Sequence, residues 1–236
     1  MTRFVKASAA LAAALLLGWP VPAAASAQNA CGDLGGTVDA DVCRIHTTTN
    51  TYTFDAAFPT TYPDAGPMID YLRQTRDGFV NVSQMPGSRN LPYELDIKET
   101  EYRSGPAQRG TRSVVFEIFQ DVGGAHPSTW YKAFNYSLET GQPITYDSLF
   151  PPGSQPLPLI FPVVQAELER TTGLENSFIP GAGLDPANYQ DFAITDNELI
   201  FFFGQGELLP SAAGALVAHV PKATVSPILS YPGLKP

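Results

Sequence analysis

The stretch DVGGAHPSTWYKAFNY, residues 121–136, gathers the residue types that cleave esters. Ser128 is a hydroxyl nucleophile, His126 a base two positions before it, and Asp121 a carboxylate able to orient the imidazole. In extended chain, positions two apart share a face, so Ser128 and His126 are able to meet. Gly123 and Gly124 could present backbone N–H groups to a developing oxyanion. The same residues also admit a plainer reading. Paired glycines supply positive φ for a bulged hairpin, with His126 making one structural hydrogen bond. No G-x-S-x-G elbow occurs in the chain. A triad is defined by geometry, however, so acyl transfer stays open.

Other chemistry is thinner. Glu207, in FFFGQGELLP, sits in apolar surroundings that would raise a carboxylate pKa, and acid–base work on glycosides needs a second carboxylate. Its plainer role is to accept backbone hydrogen bonds in a loop. His219 lies mid-strand in LVAHVP, and His46 reads as a surface residue three positions after Cys43. Three scattered histidines without H-E-x-x-H spacing make a poor zinc site, so neither metal nor other cofactor is expected.

Cys31 and Cys43, in CGDLGGTVDADVC, are the only cysteines and read as a disulfide closing a short loop in an exported chain. Export is expected from the first residues. Arg3 and Lys6 precede an apolar run, and Ala25 and Ala27 give an A-x-A pattern before Gln28. Residues 1–27 are therefore expected to be a signal peptide, and 28–236 one secreted domain with 28–50 as its disulfide-closed N-terminal segment. No later segment reaches the ~20 apolar residues of a membrane span. The formal charge of −9 disfavours nucleic acid as a partner, and losing Arg3 and Lys6 makes the chain more acidic still.

Periodicity then supplies the elements that must hold these residues. TYTFDAAF (51–58) alternates as a strand. Ile69, Leu72, Arg76 and Phe79 follow helical spacing after Asp64, a candidate N-cap. YELDIKETEY, TRSVVFEIFQDV and TWYKAFNYSL are three strands. The second is apolar on both faces and hence central, and the last two form a hairpin around the Gly-Gly loop. A second helix over 158–172 places Pro162 in its first turn and ends at Gly173. YQDFAIT, LIFFF and ALVAHV are three further strands, and PKATVSPIL a short terminal helix. Strands in hairpin runs interrupted by helices predict an α+β fold, a mostly antiparallel sheet with both helices packed on it.

The segments YLRQTRDGF, PYEL, RGTRSVV, GGAHPSTWYKAFNY, QPITYDSLF, GLDPANYQDFAIT and LIFFFGQGELLPSAAG, in this order, resemble the secreted mycobacterial immunogenic-protein family from about residue 52 onward. Gly123-Gly124-Ala125-His126, Asn135-Tyr136, Thr140-Gly141 and Leu149-Phe150 also resemble a wider bacterial domain, found in a lysozyme-sensing anti-sigma-factor ectodomain and beside polysaccharide deacetylases. That wider family often carries an aromatic before the glutamate matching Glu207, where this chain has Gly206. The resemblance implies a β-grasp-like α+β fold. It also implies a recognition protein, secreted or envelope-associated, that binds a host or cell-wall protein, glycan or lipid. Gly123, Gly124, His126, Tyr131 and Glu207 are the candidate binding positions. One branch of the family is described as cell-wall-associated carboxylesterase. The alternative expectation is therefore hydrolysis of short-chain esters by Ser128, His126 and Asp121.

Overall fold

The computed structural model describes residues 23–229. Most of the expected signal peptide, up to residue 22, lies outside them. Helix α1 (Ala23–Asp33) is built from an alanine-rich run. Ala27, Ala30 and Cys31 on it, and Leu34 just after it, recur at helical spacing and are all buried. The helix stops where Gly35 turns to φ +79° and Gly36 N–H donates to the Cys31 carbonyl at 2.8 Å. Strands β1 (Thr37–Asp39), β2 (Val42–Thr48) and β3 (Tyr52–Pro59) follow. The Cys31–Cys43 disulfide ties α1 to β2. For residues 28–50 the sequence pattern predicts only the disulfide, with no helix and no strands, while the strand expected over 51–58 is present as β3.

Helix α2 (Ala65–Ser83) buries Met68, Ile69, Leu72 and Phe79. Asp64 occupies the N-cap position, but its side chain makes no capping bond, contrary to expectation, because its backbone (φ −109°, ψ 60°) is not the extended cap conformation. Strands β4 (Tyr93–Ser104), β5 (Thr111–Asp121) and β6 (Ser128–Ser137) form a meander, closed by the two-residue β7 (Gln142–Pro143). Strands β1 to β7 lie in sequence order in one sheet, and β5 is flanked by β4 and β6 as its apolar faces required. Every pairing is antiparallel except β3–β4, which α2 connects in parallel. The β2–β3 hairpin, α2 and parallel β4 make the β-grasp-like part.

The chain then forms α3 (Tyr146–Leu149), opened by a capping box between Thr145 and Ser148, and α4 (Leu157–Thr172). Helix α4 starts earlier than expected. Pro158 takes the early position that tolerates a missing N–H, and Pro162 falls inside the helix rather than in its first turn. Gly173 ends it at φ +71°. Strands β8 (Phe192–Ile194), β9 (Glu198–Phe203) and β10 (Leu216–Pro221) form a second antiparallel sheet, followed by α5 (Lys222–Val225).

Four layers result. Helices α1 and α2 cover one face of the large sheet over Phe54, Leu95, Ile97, Phe116 and Ile118. The second sheet lies on the opposite face of β5 and β6, with Val115 and Ala133 against Ala193, Ile200 and Phe202. Helix α4 covers its far side through Ile160, Val164 and Leu168 against Leu199, Phe201 and Phe203. The later helix thus packs on the small sheet, not on the large one. Buried apolar area of this extent supplies the main folding drive at about 25 cal/mol per Å². Because β8–β10 cover β5, β6 and, through Tyr102, only the C-terminal end of β4, the outer face of β2, β3 and the first part of β4 stays open, with Arg44, His46, Thr48, Glu94 and Lys98 exposed on it.

Candidate functional site

The hairpin tip is where expected, between β5 and β6, but it does not assemble a triad. Asp121 Oδ1 accepts a hydrogen bond from Gly123 N–H at 2.8 Å, which closes a local turn. His126 and Ser128 are exposed, and among the described residues no hydrogen bond joins either of them to the other or to Asp121. Of the two glycines only Gly123 has positive φ, at +68°. A Cβ there would come within 2.6 Å of the Arg89 carbonyl oxygen, and the Gly123 carbonyl accepts from Asn90 Nδ2 at 3.1 Å. Gly124 faces open space. The expectation of positive φ at both positions is corrected to one.

His126 lines a cavity of about 500 Å³ with Pro127, Thr129, Gln205, Ser211 and Gly214. Gln205 stitches the far wall to the hairpin. Its N–H donates to the Thr129 carbonyl at 2.9 Å, and its Nε2 donates to the Ser211 carbonyl at 2.9 Å. The same loop carries Glu207, whose Oε2 accepts from Gly204 N–H at 2.7 Å. Desolvation raises the Glu207 carboxyl above its usual range, and the negative charge of Asp191 adds to the effect. Asp191 is the second carboxylate that sequence could not name. Burial raises it too, against the opposing pull of Lys132 at 3.5 Å and Ala133 N–H at 2.8 Å. Beside them Trp130 Nε1 donates to Tyr71 Oη at 2.8 Å. Tyr131, on the other face of β6, packs between the sheets at 5.2 Å from Phe202, and burial pushes its hydroxyl up to about 12.

A second recess, of about 540 Å³, opens on the uncovered face of β2–β4 and is lined in part by Arg44, His46, Asp55, Asp96 and Lys98. Register creates it. Antiparallel pairing sets His46 opposite Asp55, and parallel pairing sets Asp55 opposite Asp96. His46 Nδ1 lies 2.6 Å from Asp55 Oδ1, and His46 Nε2 lies 3.3 Å from Thr48 Oγ1. Lys98 Nζ pairs with Asp96 Oδ2 at 3.0 Å. Reading His46 only as a surface residue missed this. The signal was the alternation of Arg44, His46 and Thr48 along one strand face. His219, on β10, pairs with Glu198 Oε2 at 3.0 Å. Among the described residues no group of three His, Cys, Asp or Glu side chains is placed to hold a metal ion, and no helix is long and apolar enough to cross a membrane.

Comparison with known proteins follows the same lines. Residues 147–223 match a family described as a protein of unknown function, DUF3298. Over 227 residues the chain is 52% identical to a protein named Esterase Rv3036c from Mycobacterium tuberculosis, covering 96% of this chain and 99% of that protein. It is 42% identical over 208 residues to the immunogenic proteins MPB64 of Mycobacterium bovis and MPT64 of Mycobacterium tuberculosis, covering 88% of this chain and 91% of each. Two solved DUF3298 structures share the fold at low identity. One from Pseudomonas aeruginosa has TM-score 0.53 at 11% identity, covering 83% of this chain and 96% of its own. One from Bacteroides fragilis has TM-score 0.51 at 12% identity, covering 83% and 95%.

Proposed function

The chain belongs to the mycobacterial immunogenic-protein family of MPB64 and MPT64, and we propose that it is an exported, envelope-associated hydrolase of short-chain esters. One observation carries this reading: the likeness to a relative named an esterase runs along nearly the whole of both chains. Sequence reasoning alone placed partner recognition first. The full-length match moves hydrolysis ahead of it, and the open polar recess on β2–β4 offers a histidine oriented by a carboxylate, the arrangement acyl transfer needs. Export is supported by the leader pattern of residues 1–27.

The test is hydrolysis of p-nitrophenyl acetate and butyrate by highly purified protein. Saturable turnover, abolished by a hydroxyl-directed fluorophosphonate, is expected. A rate no higher than that of an inert carrier protein would end the hydrolase reading.

Recognition has its own support in the cluster of Trp130, Tyr71, Lys132, Asp191 and Glu207. An aromatic ring beside two desolvated carboxylates suits a pyranose, which stacks on the ring and donates hydroxyls to the acids. Binding of envelope polysaccharide that is lost in Trp130→Ala and Glu207→Gln would favour it. Equal retention of all three proteins would not.

A further inference from the structure

We infer that ester cleavage runs through Thr48 as nucleophile, His46 as base and Asp55 as the group that orients it, on the open face of β2 and β3. This rests on the hydrolase reading and supplies the atoms that reading lacks. The three side chains form a continuous chain of contacts, 2.6 Å from Asp55 Oδ1 to His46 Nδ1 and 3.3 Å from His46 Nε2 to Thr48 Oγ1. The fold fixes each link. Cross-strand register brings Asp55 to His46, and two-residue spacing puts Thr48 on the same face of β2. With Nδ1–H donating to Asp55, the Nε2 lone pair is left for the Thr48 hydroxyl, the tautomer that base catalysis requires.

Two other hydroxyl candidates fail on stated grounds. Ser128 has no bonded base. Ser104 accepts a hydrogen bond from Lys222 Nζ at 3.1 Å, but these residues are only 5% and 4% exposed, so no ester reaches them. His46 and Asp55 have side chains 70% and 47% exposed, open to a substrate in the recess.

The step balances without a co-reactant other than water. Thr48 Oγ1 forms a bond to the ester carbonyl carbon as His46 Nε2 takes its proton, and the carbonyl electron pair moves onto oxygen. Arg44 and Lys98 line the neighbouring recess on the far side of His46 from Thr48, with Lys98 held to Asp96 at 3.0 Å, so the oxyanion is left to water. Collapse breaks the bond to the alcohol oxygen, which leaves with the proton from Nε2. Water, deprotonated by His46, then attacks the acyl-Thr48 ester. The acid departs and the threonine hydroxyl is restored. Because the recess is an open sheet face, water weakens each electrostatic contact. The substrates that fit are short-chain esters of good leaving groups, needing neither a deep acyl pocket nor strong oxyanion stabilisation.

The deciding experiment uses the purified protein with p-nitrophenyl acetate, and site mapping of a fluorophosphonate adduct by mass spectrometry. The adduct is expected on Thr48. Thr48→Ala and His46→Ala should each lower kcat by about 100-fold or more, and Asp55→Asn by less, while Thr48→Ser should keep turnover. An adduct on Ser128 or Ser104, or full activity in Thr48→Ala and His46→Ala, overturns the assignment and leaves the hydrolase reading standing. Absence of turnover in the unmodified protein removes that reading, and this assignment with it. The adduct is read on unmodified protein, so a variant that fails to fold does not obscure it.

Discussion

Lys222 Nζ donates a hydrogen bond to Ser104 Oγ at 3.1 Å, joining the start of α5 to the end of β4 in a place where both side chains are buried. Desolvation lowers the lysine pKa, partly opposed by the negative charge of Asp196. Between that lowered folded value and the ordinary 10.5, the unfolded chain holds a proton that the folded chain lacks. The contribution is therefore complete above 10.5 and lost as pH falls through the folded value. Urea denaturation of Lys222→Met should show this directly. The stability of the natural protein minus that of the variant should rise with pH across the window. A difference that is flat with pH would mean that the amine is not desolvated.

The two glycines of the hairpin should respond oppositely to the same change. Gly123→Ala forces a Cβ onto the Arg89 carbonyl in a left-handed backbone, and should cost about 1–3 kcal/mol. Gly124→Ala meets nothing and should stay within about 0.5 kcal/mol. Denaturant midpoints of the two variants check this, and equal losses would contradict the turn geometry.

His126→Ala and Ser128→Ala remove exposed side chains with no bond to one another, so each should melt within a degree or two of the parent and keep its ester hydrolysis. Loss of turnover in either, with an unchanged melting temperature, would return catalysis to the hairpin tip.

The Cys31–Cys43 link closes a loop of sequence separation 12 and pins α1 to β2. Replacing both cysteines by alanine should destabilise the protein by about 3 kcal/mol on chain-entropy grounds. Thermal melts of the double variant test it. An unchanged midpoint would mean that α1 is held by packing alone.

Much of this architecture was legible from periodicity. The hairpin of β5 and β6 announced itself through alternation on either side of Gly123-Gly124, and α2 through Ile69, Leu72 and Phe79. The N-terminal elements were hidden because an alanine-rich run beside an A-x-A pattern reads as a leader, while Ala27 and Ala30 show their helical role only once packed. The division into two sheets was illegible too. LIFFF is buried on both faces in either case, and only tertiary packing decides which layer it joins. The recess histidine was missed for a related reason. His46 and Asp55 lie in different strands, and their 2.6 Å contact depends on a register that no short motif encodes.

Both outer strands of the large sheet are stubs, three residues in β1 and two in β7, and the remaining flank of β6 is occupied by Asp191 and the Gln205 backbone. Unpaired N–H and C=O groups along a sheet margin are what neighbouring molecules use to add strands and begin fibrils. In the large sheet this leaves the outer edge of β2 beyond Arg44, where β1 no longer pairs, as the main such template. The short outer strands thus confine strand addition by a neighbouring copy on the large sheet to one four-residue stretch, too short to seed a continuous cross-β stack.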